Sequence, residues 1–209
     1  MVHVEEVVEA ARTGVSGFTP GWCFNCRKSF PQYLAEVSPE FKDSIGAGKT
    51  VNWPTGLGGR GNAGVAANVS KIRGSIGYVE YAYAKQNKLT HAALVNRDGR
   101  VVQPEEKTFA AAAANADWSA AQGFGVNLNN QAGAETWPIT SPTYILMHKT
   151  ADKPANSVEV LKFFRWALNN GQQQASDLDY VPLPANVVKL VEASWSQIVD
   201  PSGKPVLGD

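Results

Sequence analysis

The sequence predicts an α/β fold, because helix-like and strand-like stretches alternate along its 209 residues. Apolar residues recur at helical spacing in 156–169 and again in 185–198. Short stretches rich in β-branched and aromatic residues predict strands around 76–80 and over 143–149. Between them, AALVNRDGRVV predicts two strands joined by an Asp-Gly turn. We find no internal repeat, so this alternation itself defines the fold class.

Helices are also predicted in the first two thirds of the chain. One runs from Ser29 to Val37, and Pro39 stops it because the residue before a proline disfavours helical backbone. Another covers 62–72, where apolar residues at spacings of four and three form one face and Asn62 is positioned to cap the first turn. A third begins in PEEKTF, whose proline and acids suit a helix N-terminus.

Each of the two C-terminal helices carries one apolar stripe. In the first helix the stripe consists of Val158, Leu161, Phe164 and Leu168, and Gly171 follows as a C-terminal cap. In the second helix the stripe consists of Val187, Leu190, Val191, Trp195 and Ile198. Such stripes predict one buried side for each helix.

Charge and hydropathy exclude two classes of partner. The 19 basic and 19 acidic residues cancel, so the chain lacks the basic excess that nucleic-acid binding requires. No stretch is long and apolar enough for a transmembrane helix. The opening MVHVEEVVEAARTG has acids where a signal peptide has bases, and it lacks an apolar centre. As written, the sequence predicts no export signal.

A glycine-rich stretch, TGLGGRGNAG at 55–64, contains the G-x-G-x-x-G pattern of dinucleotide-binding turns. That fingerprint requires a buried strand just before it, whereas Pro54 stands there and cannot donate to a strand ladder. Glu80 lies at a suitable distance for a ribose-binding acid, but this spacing alone is weak evidence. We therefore interpret the stretch as a tight loop whose glycines permit positive φ and close approach of the following helix.

Cys23 and Cys26 form a C-x-x-C motif in WCFNCRKSFPQYL, which resembles the active-site segment of thioredoxin-like oxidoreductases. At a helix start beside cations, the first thiol is expected to have a lowered pKa. A thiol–disulfide oxidoreductase using this pair is therefore the alternative function, and two incidental thiols are the simpler interpretation. Zinc would need further ligands, and His3, His91 and His148 are scattered along the sequence.

Longer blocks of the sequence resemble one transport family. VNWPTGLGGRGNAGVAANV and GSIGYVEYAYAKQNKL are similar to the phosphate-binding proteins of bacterial high-affinity phosphate ABC transporters. The resemblance continues through DWSAAQG, WPITSPTYILMHK, VLKFFRWALNNGQQQASDLDYVPLP and SGKP, and it extends from about Tyr33 to Gly208. In that family the glycine stretch is a connecting loop that leads into a helix.

The resemblance implies a type II periplasmic-binding-protein-like fold, in which two α/β lobes close over phosphate. It implies capture of inorganic phosphate for a membrane permease, no enzymatic activity, no metal and no cofactor. It also implies a periplasmic location, whereas the chain as written would stay cytoplasmic. We expect a truncated fold without most of the first lobe: a divergent segment at 1–32, part of the second lobe at 33–140, and a returning segment at 141–209 that completes the first lobe.

The family binds phosphate partly through an R-x-D-G-S-G-T stretch, for which RTGVSGFT is the nearest match. The resemblance implies that Arg12 is the charged donor and that Ser16 and Gly17 supply hydroxyl and backbone donors at a helix start. The family's aspartate falls on Gly14, so the acceptor for the proton of monohydrogen phosphate is lost. We hypothesise a local frameshift within 1–32, which would be contradicted if no shifted reading frame of the DNA encodes the motif.

The expected truncation has a consequence for solubility. Helix faces such as Val158, Leu161 and Phe164 would lack the layer that covers them, and strand edges would stay open. We therefore expect a loosely packed or poorly soluble chain. A sharp, cooperative thermal transition in circular dichroism would argue against this expectation.

Overall fold

The computed structural model describes residues 17–20, 24–48, 50–120 and 122–207, with side chains from Lys28 onward. Within these ranges the chain is a mixed α/β protein in which helices contain many more residues than strands. The predicted α/β class is therefore confirmed, and the fold is richer in helix than the sequence pattern indicated.

The chain divides into two compact units, and each unit is formed by two stretches that are separate in the sequence. Unit 1 comprises Met1–Ala116 and Val126–Ser141, and unit 2 comprises Asp117–Gly125 and Pro142–Asp209.

A small parallel sheet lies in unit 1. Strand β1 (Gly17–Pro20) is central and pairs with β2 (Leu57–Gly59) on one side and β3 (Ile76–Gly77) on the other. The predicted strand around 76–80 is confirmed in position but ends at Gly77. Parallel strands require crossover connections, and helices lie in these connections.

The helices of unit 1 follow the strands closely. They are α1 (Phe24–Val37), α2 (Pro39–Ser44), α3 (Gly61–Lys71), α4 (Tyr81–Gln86) and α5 (Glu106–Asn115). Ser38 separates α1 from α2 and caps α2, since its Oγ accepts a hydrogen bond from the Phe41 amide at 3.2 Å. The predicted end of the first helix before Pro39 is confirmed, and the helix begins at Phe24 rather than Ser29.

The start of α3 differs from the prediction at Asn62. The helix begins at Gly61, with Arg60 as the N-cap residue and no side-chain cap hydrogen bond. Asn62 is instead buried, and its Oδ1 accepts a hydrogen bond from the Glu80 amide at 3.2 Å. Because the two residues are 18 positions apart, a local capping rule could not reveal this contact. The hydrogen bond joins the start of α3 to the residue that precedes α4.

An antiparallel hairpin of β4 (Leu94–Val95) and β5 (Val101–Val102) confirms the predicted strand–turn–strand. Gly99 in its turn has a φ of +72°, a conformation that favours glycine. The following helix, α5, starts with a capping box, because the Glu105 side chain accepts from the backbone at Thr108 and the Thr108 hydroxyl accepts from the Glu105 amide.

An aromatic core holds α1 and α2 against the segment before the glycine stretch. Tyr33, Leu34 and Phe41 are almost fully buried, and Trp53 packs against them with its ring centroid 5.7 Å from that of Phe41. Burial, with the carboxylate of Glu36 as the smaller cause, raises the pKa of the Tyr33 hydroxyl to about 12. Tyr33 is therefore a neutral core residue at physiological pH.

A polar cluster around the buried side chain of Asn96 connects the hairpin to the returning stretch Val126–Ser141. The Asn96 Nδ2 group donates, at 3.0, 3.1 and 3.2 Å, to the carbonyl oxygens of Gly133, Ala134 and Thr136. The Asn96 Oδ1 atom accepts, at 3.1 and 3.0 Å, from the amides of Asp98 and Arg100. We call these six residues the Asn96 cluster. It satisfies backbone groups in two stretches that are far apart in the sequence.

Unit 2 is largely helical. Its helices are α6 (Pro154–Asn170), α7 (Gln172–Asp177) and α8 (Ala185–Ser194). Leu161, Trp195 and Ile198 form its core cluster, and partly buried apolar residues pack around them, among them Met147, Phe164, Leu168 and Val191. Two predicted helices are thus confirmed, with the second ending at Ser194 before a short 3₁₀ turn.

The predicted exposure of the α6 stripe is wrong. Leu161 is only 1% exposed, and Phe164 packs against the same cluster. Val158 is half-buried. The stripe faces the core of unit 2 itself, because α8 and the turn after it supply the apolar partners that the prediction assigned to an absent lobe.

The predicted strand at 143–149 does not form in the described structure. No strand is assigned over these residues, and Ile145 and Leu146 are 57% and 91% exposed. The β-type pairing nearest to them is an isolated bridge between Thr150 and Val199. A strand needs a neighbour to complete its ladder of hydrogen bonds, so a strand-forming composition alone does not produce one.

Candidate functional site

Of the three residues predicted to bind phosphate, the structure describes only Gly17. Arg12 and Ser16 lie outside the described residues. Gly17 is the first residue of β1 and stands opposite Ile76 of β3. The prediction of a helix start at Gly17 is therefore wrong, because Gly17 is paired with β3 as part of a strand and α1 begins only at Phe24. Phosphate binding by Arg12, Ser16 and Gly17 stays a prediction.

Several helices of unit 1 begin near the carboxyl edge of the parallel sheet. All three strands run in the same direction, and α3 begins directly after the turn that ends β2. Helices α1 and α4 follow β1 and β3 after short connections. Helix N-termini present unpaired N–H groups and the positive end of the helix dipole, so anions favour such an edge. Gly17 lies at the opposite, amino edge.

The glycine stretch makes the turn from β2 into α3. A short strand, Leu57–Gly59, lies inside the motif, which corrects the expectation of a loop throughout. A Cβ atom on Gly59 would lie 2.5 Å from Cγ2 of Val65 and 2.7 Å from its backbone nitrogen. Gly61 has a φ of +69°. Close approach of the helix and positive φ are the roles predicted for these glycines, and both are confirmed.

We expect Gly59→Ala to lower the free energy of unfolding by about 1–3 kcal/mol, the usual cost of overpacking a tight site. The added methyl group would meet the backbone of Val65, which cannot rotate away. Gly58→Ala is the matched control, because a Cβ atom there meets nothing within 4 Å. Urea unfolding followed by circular dichroism measures both variants, and equal midpoints would contradict the contact.

The described residues give no support to the alternatives of a reactive thiol pair or a metal site. Cys23 lies outside them, and Cys26 belongs to α1 with its side chain outside the described part. Among the described residues, no group of three His, Cys, Asp or Glu side chains could hold a metal ion. His91 packs edge-on against Tyr81, with ring centroids 5.9 Å apart, which is an ordinary aromatic contact.

Two carboxylates with a lowered pKa belong to turns. A hydrogen bond from the Ser119 hydroxyl is the main cause of the lowered pKa of Asp117, and one from the Ser202 hydroxyl is the main cause for Asp200. Each carboxylate also accepts from the backbone amide of the same serine, the geometry of an Asx turn. These carboxylates therefore stabilise the turns in which they lie.

Together these features are those of a mixed α/β protein. Parallel strands lead into helix starts, and basic and acidic residues balance at 19 each. In the part of the chain that the structure describes, no helix has both the length and the apolar composition needed to cross a membrane.

Comparison with known proteins gives the family. No family model matches the chain. The chain is 50% identical over 196 residues to the phosphate-binding protein PstS of Pasteurella multocida, which covers 94% of the chain and 55% of that relative. It is 51% identical over 168 residues to PstS of Xylella fastidiosa, and this match covers 80% of the chain and 46% of that relative. PstS of Methanocaldococcus jannaschii is 32% identical over 202 residues, and this match covers 89% of the chain and 50% of that relative.

The chain belongs to the PstS family of phosphate-binding proteins, and it spans about half the length of the curated relatives it matches. The family resemblance predicted from the sequence blocks is confirmed. These relatives imply a periplasmic-binding-protein-like fold, with which the mixed α/β structure agrees. They give no support to an oxidoreductase that uses Cys23 and Cys26.

Proposed function

We propose that this chain binds inorganic phosphate for uptake through a phosphate ABC transporter. The observation that carries the proposal is an identity of 50% and 51%, over 94% and 80% of the chain, with two proteins named phosphate-binding protein. A protein of this kind delivers phosphate to a membrane permease and is not an enzyme. Its place of action is the periplasm.

The proposal extends to the arrangement of the fold. Residues 33–140 correspond to part of the second lobe of a type II binding protein, and 141–209 correspond to the segment that returns to the first lobe. The boundary between the two compact units, at Ser141 and Pro142, supports this division. The segment 1–32 is the part that departs from the family pattern.

Phosphate binding is assigned to Arg12, Ser16 and Gly17. A guanidinium offers a paired donor fork that matches two phosphate oxygens, and a hydroxyl and a backbone amide add neutral donors. Gly14 stands where the family motif has an acid, so no carboxylate accepts the proton of monohydrogen phosphate at that position. We therefore expect weaker and less selective binding than in a full-length relative.

Calorimetric titration of the folded chain with phosphate, and separately with sulfate, tests the proposal. We expect heat from phosphate that exceeds the heat from sulfate, with an affinity below that of the Pasteurella multocida relative measured alongside. Equal heats from the two anions, or no heat from either, would overturn the proposed function.

Two arginine variants test where the anion binds. Arg12→Ala is expected to remove the phosphate heat, because it removes the charged donor. Arg60→Ala is the matched control, since Arg60 is exposed at the carboxyl edge of the sheet beside the start of α3. Loss of binding in Arg60→Ala with retention in Arg12→Ala would move the site to the carboxyl edge.

A further inference from the structure

The sequence contains a single Asn-Gly dipeptide, formed by Asn170 and Gly171, and it lies where helix α6 ends. Asparagine followed by glycine is especially prone to lose its side-chain amide, because glycine has no Cβ atom to hinder attack by its own backbone nitrogen. Asn170 is exposed, so water can reach its side chain. The hydrogen bonds of the dipeptide then determine how fast this reaction proceeds.

Two hydrogen bonds hold the dipeptide in a conformation that cannot react. The Gly171 amide donates to the Ala167 carbonyl oxygen at 2.8 Å, which keeps its proton in place. The Asn170 Nδ2 group donates to the Trp166 carbonyl oxygen at 3.0 Å, which draws the side-chain amide back toward the preceding turn of the helix. Both hydrogen bonds belong to the last turn of α6, and the terminal turns of helices open at low free-energy cost. The dipeptide therefore becomes reactive when this turn opens.

We propose that Asn170 is a site of spontaneous, irreversible deamidation and that opening of the last turn of α6 limits its rate. In the open turn the Gly171 nitrogen loses its proton to the solvent and attacks Cγ of Asn170. A bond forms between this nitrogen and Cγ, the bond from Cγ to Nδ2 breaks, and Nδ2 leaves as ammonia after taking a proton from the solvent. One water molecule then opens the resulting succinimide ring at either carbonyl carbon, which gives aspartate or isoaspartate.

Both products weaken the junction between α6 and α7. Gly171 caps the end of α6 and also precedes α7, and its carbonyl oxygen accepts a hydrogen bond from the Ala175 amide at 3.0 Å. Aspartate at position 170 lacks the N–H group that bonds to the Trp166 carbonyl, and it adds a negative charge at the negative end of the helix dipole. Isoaspartate adds a methylene group to the main chain, which shifts the Gly171 amide relative to Ala167. The junction therefore opens more easily after deamidation than before it.

The experiment is incubation of the folded chain in mildly alkaline buffer, followed by peptide mapping with mass spectrometry. Ion exchange separates the product, because one new negative charge changes a chain in which 19 basic and 19 acidic residues balance. The same chain unfolded in guanidinium chloride gives the rate of the open dipeptide. We expect conversion at Asn170 in both samples, at least about tenfold slower in the folded chain. Conversion at Asn169 is expected to be slower still, because the residue that follows it has a side chain.

A matched pair of variants at the next two residues tests the role of the last turn. The Gln172 Nε2 group donates to the Leu168 carbonyl oxygen at 2.7 Å and so stabilises the end of α6. The Gln173 Nε2 group donates instead to the Asp177 carboxylate at 2.8 Å, within α7. We expect Gln172→Ala to speed deamidation of the folded chain about threefold or more, whereas Gln173→Ala leaves the rate unchanged. Rates in guanidinium chloride correct for any effect of the substitution on the open dipeptide.

The remaining outcomes also decide the proposal. Equal rates in the folded and unfolded chain would show that the last turn does not limit the reaction. A folded chain that stays unmodified while the unfolded chain converts completely would show that Asn170 is not a modification site in the protein. Either result, or equal rates for Gln172→Ala and Gln173→Ala, would overturn the proposal.

Hydrogen exchange tests the weakened junction. The amides of Gly171 and Ala175 are expected to exchange faster in the separated product than in the parent chain, and unchanged exchange would contradict the effect on α7. Asn170→Gln is the control for the chemistry, because its side-chain amide lies one methylene group further from the Gly171 nitrogen and should give almost no product. These measurements contain no phosphate, so their outcome is independent of the proposed function.

Discussion

Replacing Asn96 by alanine is expected to lower the free energy of unfolding of unit 1 by about 3 kcal/mol. The side chain shares its two N–H groups among three backbone carbonyls and accepts from two backbone amides, and Asn96 is only 5% exposed. Alanine would remove the hydrogen bond to the buried Thr136 carbonyl and those to part-buried groups around it. Removing the partner of a buried polar group costs more than the hydrogen bond itself contributes. Urea unfolding and hydrogen exchange at Thr136 and Trp137 measure the effect.

Two further variants make the Asn96 result specific. Asn96→Asp is expected to be at least as damaging, because a carboxylate oxygen would replace the donor that faces three carbonyl oxygens. Asn87→Ala is the control, since its amide is exposed and donates to the Tyr83 carbonyl at a helix end. If all three variants unfold at the same urea concentration, the Asn96 cluster does not stabilise the protein as argued.

Leu161→Ala is expected to lower the free energy of unfolding of unit 2 by about 2–5 kcal/mol, the range for a large-to-small change in a packed core. Leu161 is 1% exposed and contacts Trp195 and Ile198, so its truncation leaves a cavity that rigid neighbours cannot fill. Tryptophan fluorescence during urea unfolding reports the change, because Trp195 borders the cavity.

The neighbouring residue on α6 provides the comparison. Val160→Ala removes an apolar group that is already 38% exposed, so we expect a change within about 0.5 kcal/mol. A loss for Leu161→Ala no greater than that for Val160→Ala would mean that the core of unit 2 is loosely packed, as the sequence alone led us to expect.

Helical periodicity predicted the longer helices well, whereas strand-forming composition predicted one strand, over 143–149, that does not form. Helix α6 was predicted over 156–169 and extends over Pro154–Asn170, because its stripe is a local property of the chain. Strand formation depends on a neighbour, which is why 143–149 forms none despite its composition. The same periodicity search looked for one stripe on α6 and therefore missed the second side, where Phe163 and Trp166 are exposed.

For the candidate site, the sequence predicted the roles of residue types better than it predicted which residues are in contact. The glycines of 55–64 have the predicted roles, but the partner of Gly59 is Val65, which a propensity rule does not name. Asn62 satisfies the local rule for a cap and yet bonds to Glu80. Gly17 was matched to a motif at a helix start, whereas strand pairing with Ile76 determines its conformation. The differences at Asn62 and Gly17 come from contacts between residues distant in sequence.

The interleaving of the two units affects how the protein can be made and divided. Asn96 binds carbonyl oxygens of residues that follow it by 37 to 40 positions, beyond the point where the chain passes through Asp117–Gly125. A ribosome therefore releases the hairpin long before the residues that complete its interior, and water must solvate that amide in the meantime. For the same reason, a piece cut after Ala116 would not be an autonomous module, because the cut removes carbonyl groups that its own core requires.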